Sequence, residues 1–361
     1  MKSRAQFSLG VSETHLAKTQ GLAIAARLQA AHPRLACEVM TVPWPRSLEA
    51  RGAFLVESAE QAARVDQRLL AGDFRLALRR ATDLRLPLAD GLLQAAVLER
   101  ETPYDAFLNR QGQITDEMPP GSVVGVLNLR SKAQMQALWP QLEIRLLSGG
   151  VEAAVEAMLR QSLVEGLVLP AAVTEHLGIQ AVVTELYYPE LMVPSAGQGI
   201  LVLLARADDK EARELARALH SPATGLELEA ELAFLERMAS DQDVPAGVLA
   251  QVEGKRVTVT GAVASPSGGA VNRVTRQGPA TQTAAMGAAV AEELLQNADA
   301  LIDLLEADFP DGLPAAELDE SIMAELDGNL TDDLEEDLAG DELAGGLDDE
   351  LARLGIDEEL A

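Results

Sequence analysis

The chain has 361 residues, 48% of them hydrophobic, which supplies apolar side chains for two or three domains with separate cores. Its formal net charge of −28 argues against nucleic acid and anionic membranes as partners, since both carry the same sign. A single cysteine, Cys37, excludes an intramolecular disulfide, and His15, His32, His176 and His220 lack the spacing of metal ligands, so no metal site is expected.

The first residues, MKSRAQFSLGVSETH, lack the apolar core and cleavage site of a secretory signal, and no run reaches the length of a membrane span. The expected compartment is the cytoplasm. Gln6 to Val11 reads as a strand, and 14–31 carries apolar residues at helical spacing behind Thr14, a capping residue type. Leu35 to Val42 is a second strand. A helix-like stretch ends near Leu70, and Phe74 to Leu78 is a strand leading into RRATDLRLP. The second segment repeats the rhythm: strand SVVGVLN (122–128), helix KAQMQALWP, strand EIRLLSG, helix GVEAAVEAMLRQS, then GLVLPAAV. PSAGQGILVLLAR (194–206) gives a turn and a strand. Helical runs over 212–221 and 225–238 then precede strands RVTVTGAVAS and AVNRVTRQ, joined by SPSGG, and a closing helix TAAMGAAVAEELLQ. Alternating strand and helix is the pattern of mostly parallel sheets covered by helices, an α/β class.

Five ordered pieces, HPRL, ERETPYDAF (99–107), PPGSVVGVLNLR (119–130), PSAGQGILVLLAR and AMGAAVAEELL (285–295), make the body resemble porphobilinogen deaminase, also called hydroxymethylbilane synthase. The resemblance implies two lobes like those of periplasmic binding proteins plus a small α/β third domain. The implied division is 1–100 with 194–206 as lobe 1, 101–193 as lobe 2, 207–297 as the third domain and 298–361 as an added tail. It further implies a dipyrromethane cofactor held by a loop cysteine, and a cleft whose arginines bind the acetates and propionates of a growing pyrrole chain.

Against that pattern many polar positions have changed. The family's CQVP loop corresponds to Gln242-Asp243-Val244-Pro245, and an amide cannot form a thioether, so no cofactor is expected. Cys37, inside the apolar LACEVM, reads as a small buried hydrophobe and not as a substitute. Ser12, Thr82, Ser131, Ser148 and Ala154 stand where the family carries basic residues. Each lost charge-assisted bond to a carboxylate removes about 1.5–3 kcal/mol. Asp83 matches the family's catalytic aspartate. Its alternatives are to cap the next turn or pair with Arg79, Arg80 or Arg85, or else to join Arg79, Arg80 and the retained Arg130 as ligand-binding groups. The short TVPWPRSLEA stands where the family has a glycine-rich lid, and Trp44 there reads as a packing plug or a partner contact.

Residues 298–361 hold 23 Asp or Glu against one Arg, so this tail carries −22 of the charge and residues 1–297 only −6. Leu326, Leu330, Leu334 and Leu338 recur every four residues, and Leu343, Leu347 and Leu351 repeat the spacing. That stripe fits one helix face, while like charges and Gly328, Gly340, Gly345 and Gly346 oppose a stable helix, so disorder with transient helices is expected. The tail is either a solubiliser or a set of hooks for an apolar groove rimmed by Lys or Arg, on a partner protein or on the chain's own lobes. The leading expectation is a degenerate paralogue without synthase activity that binds or assembles near tetrapyrrole metabolism. The alternatives are a transferase condensing porphobilinogen without the cofactor and a module binding a pyrrole or small carboxylate.

Overall fold

The structure is a computed structural model that describes residues 5–43, 57–84, 87–238, 245–265 and 268–296. In chain order the elements are β1 (Ala5–Ser12), α1 (His15–Ala31), β2 (Leu35–Val42), α2 (Glu57–Ala71), β3 (Leu76–Arg80), β4 (Leu92–Val97) and β5 (Asp105–Asn109). Next come β6 (Val123–Val126), α3 (Leu129–Leu138), β7 (Glu143–Leu146), α4 (Gly150–Leu159), β8 (Gly166–Pro170), α5 (Ala171–His176) and β9 (Val183–Tyr187). The chain continues through β10 (Leu201–Arg206), α6 (Lys210–Arg217), α7 (Pro222–Met238), β11 (Ala246–Glu253), β12 (Arg256–Ala264), β13 (Val271–Pro279) and α8 (Thr283–Gln296).

Two five-stranded sheets share one plan. The first has the order β2-β1-β3-β10-β4, with β1 parallel to β2 and β3, and β10 antiparallel to both its neighbours. The second has the order β7-β6-β8-β5-β9, with β6 parallel to β7 and β8, and β5 antiparallel to β8 and β9. The antiparallel members follow from connectivity: β5 enters the second sheet on the first crossing between lobes, and β10 re-enters the first on the return. The expected return of 201–206 to the first sheet is thus observed.

Local chemistry sets the element ends. The Thr14 side chain accepts the Ala17 N–H at 3.1 Å and caps α1, which buries Leu16, Ile24 and Leu28 and stops at His32 before Pro33. Asn128 does the same for α3, accepting from the Ser131 N–H at 2.8 Å. Phe7, Leu9, Leu76, Leu201 and Leu203 build the core on one face of the first sheet.

The third sheet, β11-β12-β13, is antiparallel and covered by α7 and α8. A Cβ on Gly287 of α8 would lie 1.9 Å from the Ala230 carbonyl of α7, so glycine is what lets these helices touch. Strands β4, β5, β9 and β11 and the short helix α5 are additions to the elements read from sequence. One boundary also differs: α6 was placed with the third domain, yet Ala212 and Ala216 lie in the core of the first sheet, because the alanine face of this strongly amphipathic helix finds its apolar partner there. Among the described residues no helix is long and apolar enough to cross a membrane.

Candidate functional site

Open α/β sheets place their ligands beyond the carboxyl ends of the parallel strands. The segment after β3 meets the 193–199 crossing through Ala81, that after β6 does so through Arg130, and those after β1 and β7 meet each other through Leu16 and Glu152. Gly197, at φ +73°, leaves its turn so close to β3 that a Cβ would lie 2.7 Å from the Ala81 Cβ, and the Ala81 N–H donates to the Ile200 carbonyl at 2.8 Å.

Asp83 closes a single 3-10 turn, Ala81–Asp83, directly after β3. Its Oδ2 accepts from Arg80 Nε at 2.7 Å and its Oδ1 from Thr82 Oγ1 at 3.2 Å, so the pairing alternative is the one observed. Both partners keep part of their surface exposed. Arg79 points elsewhere. Buried to 8% exposure, it donates to Asp66 Oδ1 at 2.6 Å and to the Ala62 carbonyl, which fixes α2 to β3 and removes it from the ligand-binding group expected from sequence.

Arg130 is likewise internal. Its Nε donates to Ser195 Oγ at 3.0 Å, Nη1 to the Val193 carbonyl at 2.9 Å, and Nη2 to Asp105 Oδ1 at 3.2 Å and Ser131 Oγ at 2.8 Å. Asp105 Oδ2 stands 2.9 Å from Nη1 as a charge partner without hydrogen-bond alignment. The four hydrogen bonds and this contact engage the whole guanidinium, so Arg130 ties lobe 2 to the crossing segment and offers no edge to a carboxylate ligand.

A second buried ion pair joins the three units. Arg100 on the first crossing donates to Glu231 Oε1 of α7 at 2.6 Å, to the Gln198 carbonyl at 3.0 Å and to the Ala250 carbonyl of β11 at 3.2 Å. Glu231, fully buried, also accepts the Gly197 N–H at 2.6 Å and the Ala250 N–H at 2.8 Å. Gln198 completes the junction by donating to Pro103 and to Asp105. Nearby Glu227, 3.7 Å from Arg100, is held above the usual carboxylate range chiefly by burial.

The lobes also touch directly. Leu16, in the first turn of α1, packs into the core of lobe 2 beside Val151, Ala154 and Val155, and its N–H donates to Glu152 Oε1 at 3.1 Å. A carboxylate of the chain itself thus sits on the N-terminal turn of α1, between the segments that carry Ser12 and Ser148-Gly149-Gly150. The residues that make this junction and contact were not singled out from sequence. Arg100, Asp105, Ser195 and Gln198 lie within the ERETPYDAF and PSAGQG pieces, and Glu231 lies on the buried stripe Leu228, Glu231, Phe234, Met238, where a charge is itself a signal.

Cys37 is half-buried and its thiol is pushed up to about 11 by burial, so it stays protonated near neutrality. Gln242, Trp44 and the acidic tail lie outside the described residues. Among the described residues no group of three or more His, Cys, Asp or Glu side chains can hold a metal ion.

Fold and site together define a two-lobed α/β protein whose third α/β unit is tied to the crossing segments by the Arg100–Glu231 pair. The family model for "Porphobilinogen deaminase, dipyromethane cofactor binding domain" matches residues 7–214, and that for "Porphobilinogen deaminase, C-terminal domain" matches 226–296. The chain belongs to the porphobilinogen deaminase family. It is 35% identical over 301 residues to the porphobilinogen deaminase of Roseiflexus castenholzii, covering 81% of this chain and 96% of that one, and 34% identical over 292 residues to that of Chromobacterium violaceum, covering 78% and 92%. A solved methionine binding protein, MetQ, is 14% identical with a TM-score of 0.36 over 60% of this chain and 91% of that one, too slight a likeness to bear on fold or function.

The family match corrects the expectation of no cofactor: residues 7–214 are the domain with which this family holds dipyrromethane, whatever stands at position 242. Among the described residues, the three arginines expected to bind a ligand do not fit a polycarboxylate, because Arg79 and Arg130 are spent internally and Arg80 is paired with Asp83.

Proposed function

We propose that this member of the family does not turn over porphobilinogen and serves in binding or complex formation beside tetrapyrrole synthesis in the cytoplasm. The observation that carries the reading is the Leu16–Glu152 contact, which puts an internal carboxylate and a leucine plug between the lobes. Support comes from Arg79 and Arg130, whose guanidiniums already serve Asp66 and Asp105, and from the uncharged residues at 12, 82, 131, 148 and 154. At about 1.5–3 kcal/mol for each charge-assisted bond, a cleft without those cations has little to hold a chain of carboxylated pyrroles. Incubating the purified chain with porphobilinogen and following both its consumption and the shift in melting temperature tests this. No consumption with a thermal shift marks a binding protein, no consumption and no shift marks a scaffold, and consumption overturns the proposal.

A second reading, a family-type transferase, is favoured by one observation. Asp83 stands partly exposed at the end of β3 with Arg80 alongside, and on this reading its carboxylate accepts a pyrrole N–H. On that reading turnover is measurable and Asp83→Ala abolishes it.

A further inference from the structure

Strand β4 forms one edge of the first sheet, so no strand pairs with its outer side among the described residues. Helix α6 lies along it, and between them runs a groove of about 640 Å³. Its β4 wall runs from Leu93 to Val97: Leu93 and Ala95 are the partly covered apolar residues, Gln94 is exposed, and Ala96 and Val97 are buried. Its rim is basic. Lys210, Arg213 and Arg217 are spaced to share one stripe of α6, and His220 closes the end by accepting the Val97 N–H at 3.1 Å; Glu214 is the carboxylate among the lining residues. Among the described residues Lys210, Arg213 and Arg217 pair with no carboxylate, whereas Arg75 and Arg206, just outside, are both matched to Asp209.

A partly apolar wall beside unmatched cations calls for a segment with apolar side chains at regular spacing and acidic residues between them. Residues 326–351 of this chain have that composition. Leu326, Leu330, Leu334, Leu338, Leu343, Leu347 and Leu351 are embedded in Asp and Glu. Reach is sufficient: the chain between Gln296, at the end of α8, and Leu326 spans up to about 100 Å, against a radius of gyration of about 19 Å for a compact body of this size. Tethering adds the advantage of a millimolar-range effective concentration without any new contact.

We propose that the β4–α6 groove is the docking site for the leucine-spaced acidic segment 326–351 of the same chain, leucines on Leu93 and Ala95 and carboxylates on Lys210, Arg213 and Arg217. The groove lies on the outer edge of lobe 1 and the proposal stands independently of whether the cleft turns over substrate. The chain's lysines are Lys2, Lys18, Lys132, Lys210 and Lys255, and of these Lys210 alone lines the groove. That makes zero-length carboxylate–amine cross-linking of the full chain, followed by peptide mass spectrometry of the monomer, a direct test. The expected result is Lys210 linked to Asp or Glu within 326–351 in preference to the other lysines. The yield should fall about tenfold in Arg213→Glu/Arg217→Glu, with melting temperature retained, and in high salt. Hydrogen exchange of Leu93–Val97 in the unmodified full chain gives a second readout, slower at low salt than at high salt. Links from 326–351 spread evenly over the lysines, links to Lys210 confined to a cross-linked dimer, or exchange at β4 indifferent to salt would each overturn the proposal.

Discussion

Removing the Glu231 carboxylate is the sharpest perturbation of the three-way junction. In Glu231→Ala the Arg100 guanidinium, 9% exposed, keeps the Gln198 and Ala250 carbonyls but loses its close anion, while the Gly197 and Ala250 N–H groups lose their acceptor. Breaking a buried pair from one side costs about 3–5 kcal/mol, a large share of the 5–15 kcal/mol that typically holds a domain folded. Urea denaturation of wild type, Glu231→Ala, Arg100→Met and the double variant measures it. The expected pattern is a single-variant loss of about 3–5 kcal/mol and a double variant well short of the sum, because removing both charges strands neither. Glu227 is the available substitute, 3.7 Å from Arg100, so the cycle is repeated in Glu227→Gln. A loss under about 1 kcal/mol in Glu231→Ala within that background refutes the reasoning.

Leu16→Ala should cost about 2–5 kcal/mol and, since Leu16 belongs to the core of the opposite lobe, should speed hydrogen exchange at the start of α4; a response confined to lobe 1 contradicts the interlobe contact. Asp209 lies below its ordinary value of 3.8, first through its bonds to Arg75, so its contribution is present above that pH and lost as pH falls through the folded value. Asp209→Asn should therefore lower stability at neutral pH and flatten the acid limb of the stability profile below about pH 4; an unchanged acid limb counts against the Arg75 pairing. Cys37, pushed up to about 11, should carry roughly one thiolate in a thousand at pH 8 and label slowly with a disulfide reagent in the native state, and labelling as fast as in urea contradicts its burial.

Much of the architecture was legible because apolar periodicity and capping residues act locally. Thr14 and Asn128 cap helices as their residue types indicate, and β1, β2 and β3 follow apolar runs. Strand β5 was not legible: its ends are Asp105 and Asn109, both buried, and Asp105 finds its partners 25 and 93 residues away, in Arg130 and Gln198, while the Asn109 amide reaches the Glu165 carbonyl 56 residues away. The site shows the same limit. The Asp83–Arg80 pair, three residues apart, was among the local alternatives, whereas the fates of Arg79 and Arg130 depend on α2 and on the crossing segment. Spacing marks which arginines survive but not which way a guanidinium turns once a closer anion competes for it. The Leu16–Glu152 contact links residues 136 positions apart and left no mark in either local pattern.

The measurement closest to the central claim is porphobilinogen consumption by the purified full chain, run beside Asp83→Ala and Glu152→Ala. The account predicts that wild type and Asp83→Ala are equally inert. Consumption by wild type that disappears in Asp83→Ala would contradict it and establish a working transferase.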